Sequence, residues 1–201
     1  MNKFFDFFKK NSTDIIKPTA VLLAICVIIP LALSLTNKIT VKKITRLEEE
    51  NSKKAMAGLI TADDFRTATV SDTEYYEAVK DGNTVGYIFK TSSKGYGGDV
   101  SVMTAINPDG TVKSVAILDV SNETPGLGQN AAKENFYSQY AGKKKGVSLL
   151  KNGADSEKNE VDAVTGATIT STAVNRAVNE ALDEFEKLSE STNTAEVTDG
   201  E

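Results

Sequence analysis

The sequence predicts an α+β domain carried behind a single N-terminal transmembrane helix. Three observations carry that expectation. Residues 19–36, TAVLLAICVIIPLALSLT, form an 18-residue run without a charged side chain. Between Glu74 and Val120 the apolar positions alternate, the period of a half-buried strand. From 171 to 188 the apolar positions recur at helical spacing.

The apolar run comes first. At ~1.5 Å per residue it reaches about 27 Å, close to the hydrocarbon thickness of a bilayer. Lys17 and Lys38 flank it. The run is longer than the core of a cleavable signal peptide, and no Ala-x-Ala site follows LSLTNK, so an uncleaved anchor is expected. A membrane helix tolerates Pro30 as a local kink. Orientation is not set by charge: Lys3, Lys9, Lys10 and Lys17 on one side match Lys38, Lys42, Lys43 and Arg46 on the other. Residues 37–70 are expected to form a juxtamembrane helical segment, polar at KITVKKITRLEEENSKKAMAGLI.

A globular domain is expected over 71–188. Val85, Tyr87, Phe89 and Thr91 alternate, as do Val100, Val102, Thr104 and Ile106, then Val115 and Ile117, with Val120 after a slip. KDGNT (80–84) and NPDGT (107–111) are turn signals between them, giving an antiparallel meander of three or four strands. Ala131–Tyr140 reads as a helix with Ala132, Phe136 and Tyr140 on one face, and AGKKKG (141–146) as a loop of solvated lysines. Val174, Ala177, Val178, Ala181, Leu182, Phe185 and Leu188 make the stripe of the clearest soluble helix, which is core rather than a cofactor box. The acidic tail 189–201 is expected to be disordered.

Composition narrows the chemistry. There is no histidine, and the lone Cys26 lies inside the apolar run. That excludes a His-based triad, His-ligated haem, zinc sites of Cys or His, Cys-ligated iron–sulfur clusters and a histidyl flavin. No metal site and no catalytic acid–base residue is expected. A covalent cofactor would have to hang from a hydroxyl, a carboxylate or a lysine. Residues 1–46 hold 8 Lys/Arg and 2 Asp/Glu, leaving 15 and 26 in residues 47–201, a net charge near −11. An acidic domain of this kind is a poor binder of phosphate backbones, so nucleic acid is not an expected partner.

DAVTGATITSTAV (162–174) gathers Thr165, Thr168, Thr170, Ser171 and Thr172 around Gly166-Ala167 at the start of the last helix. N-capping accounts for one hydroxyl. Small residues at a helix N-terminus with free N–H groups also suit a phosphate, and a phosphate held there lies beside threonine oxygens. The stretch DAVTGAT (162–168) resembles the Asp-x-x-Ser/Thr-Gly-Ala-Thr signature of the covalent FMN-binding domain family, matching at all seven positions. The resemblance implies FMN joined by a phosphoester to Thr168, with Gly166 and Ala167 giving clearance. It also implies maturation by a flavin transferase that uses FAD and magnesium and releases AMP, with Asp162, Thr165, Gly166, Ala167 and Thr168 as its recognition motif.

NETPGLGQ (122–129) resembles the Glu-Thr-Pro-Gly-Leu-Gly loop of the same family. Pro125 fixes a turn there, and Gly126 and Gly128 let backbone approach a flat ring. Glu123, Thr124, Gly126, Leu127 and Gly128 are implied to line the ring or the ribityl chain. GYGGDV (95–100) resembles the family's glycine-rich segment, where Tyr96 either packs near the cofactor or covers the core. The whole layout resembles the G subunits of Rnf-type ion-translocating ferredoxin:NAD oxidoreductases. The related C subunits of sodium-pumping NADH:quinone oxidoreductases share the threonine motif. Where related G subunits often carry basic residues before the Glu-Thr-Pro-Gly loop, Ser121 and Asn122 stand here.

The resemblance implies a single-pass electron-transfer subunit of a translocase. It would be anchored in the lipid bilayer of the cytoplasmic membrane, with residues 1–18 inside and the domain on the outer face, beside the other membrane and redox subunits of the complex. Two other readings share parts of the pattern. One is a stand-alone membrane-anchored FMN protein of another reductase system. The other is a non-redox extracytoplasmic binding module, which the absence of tryptophan disfavours for sugar stacking.

Overall fold

The computed structural model describes residues 12–71 and 73–198. Contacts divide the chain between Glu50 and Asn51 into two units.

The first unit is the body of helix α1, Ser12–Leu59. One apolar stretch of it is long enough to cross a membrane. Val21, Leu22, Leu23, Ile28, Leu31 and Leu33 are all 60% exposed or more, so the helix is apolar on every side rather than along one stripe. That is the pattern of a lipid-facing span, not of a surface helix. The Thr36 and Thr40 hydroxyls donate to the carbonyls one turn back, Ala32 O at 2.9 Å and Thr36 O at 3.0 Å, which satisfies them without water. The expected cytoplasmic segment 1–18 lies mostly outside the described residues.

The second unit is an α+β domain. Five antiparallel strands form a meander in the order β1 (Asp64–Val70), β2 (Thr73–Lys80), β3 (Asn83–Lys94), β4 (Asp99–Ile106) and β5 (Val112–Asp119). The alternation of β3 and β4 sorts side chains to two cores. Phe89, Val100, Val102, Ile106, Val112 and Val115 face helix α3 (Thr168–Thr198), meeting Val174, Ala177, Val178, Ala181 and Leu182. Ile88, Met103, Ala105 and Ala78 face the other way, onto Met56, Leu59 and Ile60 at the end of α1. Val85 packs with this second set instead of with Tyr87 and Phe89. The Thr91 hydroxyl donates to Ala177 O at 2.8 Å, pinning the sheet to α3 by a buried polar bond.

Four expectations are corrected. The helical segment ends at Leu59, and 64–70 is the first strand, because its β-branched Thr67, Thr69 and Val70 find a partner in β2 across a tight hairpin. The meander therefore has five strands. The 131–140 helix is broken into a 3-10 turn (Gly128–Ala132), a single α-turn α2 (Glu134–Tyr137) and a second 3-10 turn (Ser138–Tyr140). Ala131, Phe136 and Tyr140 are buried there, while Ala132 faces solvent. Helix α3 continues through Thr198 where a disordered tail is expected from 189; helix extension adds one backbone bond per residue once the helix is nucleated.

The lysines of 141–146 are not all solvated. Lys143 is 7% exposed and its ammonium donates to Ser156 O at 2.9 Å and Lys158 O at 2.5 Å. It thereby closes the loop between β6 (Ser148–Leu150) and β7 (Glu160–Asp162), a short parallel pair. Lys145 pairs with Asp183 at 3.0 Å and with Glu186, and both carboxylates raise its pKa. Asn179 receives the Gly146 and Val147 amides and donates to Val147 O, fixing the same loop on α3.

Candidate functional site

Three sequence segments converge where α3 begins. The β3–β4 turn brings Gly95-Tyr96-Gly97-Gly98, the chain after β5 brings Glu123–Gly128, and the loop after β7 brings Gly166–Thr170. They enclose a cleft of about 550 Å³ lined by Tyr96, Glu123, Thr124, Leu127, Gly128 and 166–170.

Glu123 joins the three segments. It is 3% exposed, and its carboxylate accepts from the Thr170 hydroxyl at 2.5 Å and the Gly97 amide at 2.9 Å. Burial pushes the carboxyl up. Hydrogen bonds from Thr170 and from the amides of Gly97, Tyr96 and Gly98 outweigh that and hold it below the usual glutamate range. The glycines make this approach possible. A Cβ on Gly97 would lie 1.8 Å from Asn122 O, and one on Gly128 would lie 2.7 Å from the Thr170 hydroxyl. Ser121 and Asn122 do not line the cleft; Ser121 donates its amide to Asp119 at 2.8 Å, and Asn122 packs under Gly97.

The five hydroxyls separate. Thr170 is buried and bound to Glu123. Ser171 is buried; its hydroxyl donates to Ala167 O at 3.0 Å and accepts the Val164 amide at 2.9 Å, so it shapes the loop. Thr172 donates to Thr168 O at 2.8 Å. Thr165 and Thr168 remain exposed, and among the described residues no hydrogen bond engages either hydroxyl. Of these two, only Thr168 lines this cleft. Thr165 lines a second, polar hollow of about 400 Å³ together with Asp162, Lys133, Asn135, Gln139 and Asn152.

Asp162 is likewise turned away from Thr168 and is not a free loop acid. Its carboxylate accepts the Ala154 amide at 2.9 Å, and its own backbone pairs with Gln139. Gly126 and Gly166 both sit at a φ of +78°, a conformation that favours glycine. Gly126 does not line the cleft, although it lies in the loop that carries Leu127.

The cleft suits a flat aromatic ring with a phosphate tail. Tyr96 (72% exposed), Leu127 (45%) and Ile169 (55%) supply apolar surface at its rim, and Ala167 narrows it. The first amides of α3 supply N–H groups at the Thr168 end. Among the described residues no lysine or arginine lines the cleft, so none of these side chains would clamp a phosphate dianion by charge. Tyr96 lies at the cleft rather than over the core, and Ile169 and Thr170 are lining residues that the motif reading passes over. Only their position next to Thr168 hints at them in the sequence.

Residues 95–183 match the FMN-binding domain family, so the fold and cleft define a membrane-helix-borne FMN-binding protein. Over 111 residues the chain is 41% identical to the G subunit of the proton-translocating ferredoxin:NAD(+) oxidoreductase complex of Clostridium ljungdahlii, covering 55% of this chain and 59% of that one. It is 32% identical to the G subunit of the Na(+)-translocating ferredoxin:NAD(+) oxidoreductase complex of Acetobacterium woodii, covering 84% and 90%. It is 31% identical to the G subunit of the ion-translocating oxidoreductase complex of Methanosarcina acetivorans, covering 86% and 95%. The crystal structure of Shewanella oneidensis NqrC superposes with a TM-score of 0.50 at 25% identity, over 56% of this chain and 61% of that one. The chain belongs to the G-subunit family of the Rnf-type ion-translocating oxidoreductase complexes.

Proposed function

We propose that this chain carries FMN through a phosphoester to the Thr168 hydroxyl and relays electrons as the membrane-anchored flavin subunit of an Rnf-type ferredoxin:NAD oxidoreductase. The observation that carries this reading is the sorting of the hydroxyls. Of five in the motif, Thr168 alone is exposed, unengaged and open to the cleft. The lack of a cationic side chain in the cleft supports covalent over ionic retention of the phosphate.

Attachment is a transfer. Thr168 Oγ1 attacks the FMN phosphorus of FAD, the new O–P bond replaces the pyrophosphate bond, and AMP leaves. A flavin transferase supplies the magnesium and takes the hydroxyl proton. Asp162 and Thr165, which line the neighbouring hollow, belong with Gly166, Ala167 and Thr168 to the motif this enzyme recognises.

When bound, FMN supplies one- and two-electron redox chemistry. The protein's own part is positional. Thr168 tethers the phosphate end, and Gly166 and Ala167 leave it clearance. Leu127, Tyr96 and Ile169 offer the ring apolar surface, while Thr124 and Gly128 line the chain side. The apolar helix holds the domain at the lipid bilayer, on the outer face of the cytoplasmic membrane, beside the other proteins of the complex. In-gel flavin fluorescence after denaturation tests the reading. Fluorescence is expected only in wild type coexpressed with the transferase, and is lost in Thr168→Val. A fluorescent Thr168→Val band refutes the assignment.

A further inference from the structure

The cleft holds a feature that attachment does not use. Glu123 is the only charged side chain lining it, and no ion pair engages that side chain among the described residues. Its charge is held by dipoles alone: one hydroxyl and the amides of the Gly95–Gly98 turn. Such donors stabilise a carboxylate without cancelling its net charge. An unpaired, 3% exposed anion facing a redox site has an electrostatic consequence for any group reduced there.

We propose that Glu123 sets the potential of the flavin held in this cleft, its fixed negative charge disfavouring reduction and so making the bound flavin a stronger reductant. The proposal rests on the flavin reading above. An electron that the ring accepts from its redox donor without a proton adds negative charge near a carboxylate that has no cationic partner among the described residues, and a proton taken from solvent with the electron cancels that charge and the repulsion. A unit charge within about 8 Å, at an effective dielectric of about 20, shifts a one-electron equilibrium by tenfold or more. Glu123 is thus a positioning residue with a second consequence: the clamp that closes the cleft also charges it. The cost of burying an unpaired carboxylate is consistent with a purpose beyond tethering, since a neutral Gln reproduces the same acceptor for Gly97.

The test is the midpoint potential of the bound flavin in the full-length, transferase-matured protein, by spectroelectrochemistry, for wild type, Glu123→Gln and Thr170→Val. Glu123→Gln keeps the shape and one acceptor oxygen for the Gly97 amide, removes the charge and exchanges the acceptor facing Thr170 for an NH2 donor, so Thr170→Val is the control for the altered hydrogen bond. Its reduced form is expected to be favoured about tenfold per electron, which is about 59 mV more positive for a one-electron step. Thr170→Val keeps the charge and loosens the clamp, so its potential is expected to stay at or below the wild-type value. A Glu123→Gln potential equal to wild type overturns the proposal. So does a Thr170→Val potential that rises, which would assign the effect to cleft geometry; if Glu123→Gln fails to accumulate, Glu123→Ala, which also removes the charge, is read in its place, with the same positive shift expected and an unchanged potential overturning the proposal. Wild-type protein that takes up no flavin refutes the attachment reading instead, so the two failures are distinct.

Discussion

Thr170→Val isolates the bond that closes the site. The substitution is nearly isosteric and exchanges a hydroxyl for a methyl at a position 2% exposed. It removes the shortest contact to the Glu123 carboxylate, which keeps the Gly97 amide at 2.9 Å. A hydrogen bond to a charged group contributes about 1.5–3 kcal/mol, so a loss of about 2 kcal/mol is expected. The pH dependence adds a sign. Glu123 is held below the ordinary glutamate value of 4.5, so its contribution is present above that value and is lost as pH falls through the lower folded value. Removing Thr170 lets the folded value rise. The difference between the two proteins should therefore be constant above about pH 5 and shrink on acidification. Urea unfolding of the full chain in detergent, followed by circular dichroism near pH 7 and near pH 3.5, measures both. A loss under about 0.5 kcal/mol at pH 7, or one that is equal at the two pH values, refutes the reasoning.

Further outcomes follow from the same geometry. Thr168→Val abolishes flavin fluorescence yet changes unfolding stability by less than about 0.5 kcal/mol, because the hydroxyl is exposed and unengaged. Leu182→Ala, at 2% exposure in the core between α3 and the sheet, costs about 2–5 kcal/mol by urea unfolding. Gly97→Ala places a Cβ 1.8 Å from Asn122 O, so the turn must shift; it lowers stability by at least about 1–3 kcal/mol and reduces flavin incorporation on the gel. Lys143→Met removes both anchors of the β6–β7 loop, and limited proteolysis should cut within 151–159 faster than in wild type.

What was legible in the sequence was what repeats locally. The stripe from Val174 to Leu182 and the alternation of Val100 and Val102 each place side chains on one face, and the structure buries those faces as read. Strand β1 was hidden because its DFRTATV follows a helical run and acquires its identity only by pairing with β2. Strands β6 and β7 are three residues each, too short for any period to register. Lys143 looks in sequence like its neighbour Lys144; only the folded loop carbonyls distinguish it.

The candidate site divides the same way. The residues of DAVTGAT and ETPGLG were legible as motifs, and most of them come together at the cleft. The partnership of Glu123 with Thr170 spans 47 residues and leaves no local trace. Nor does the sequence say that Asp162 and Thr165 open onto a different hollow from Thr168; that follows from the turn at Gly166, whose φ of +78° redirects the chain between them.

Tandem mass spectrometry of the tryptic peptide 159–176 tests the central claim most directly, because this one peptide holds all five hydroxyls of the motif. In protein matured with the transferase, the peptide should carry FMN less one water, and the fragment series should place that mass on Thr168. The mass on Thr165 or on any other hydroxyl, or an unmodified peptide from chain that fluoresces on the gel, would contradict the account.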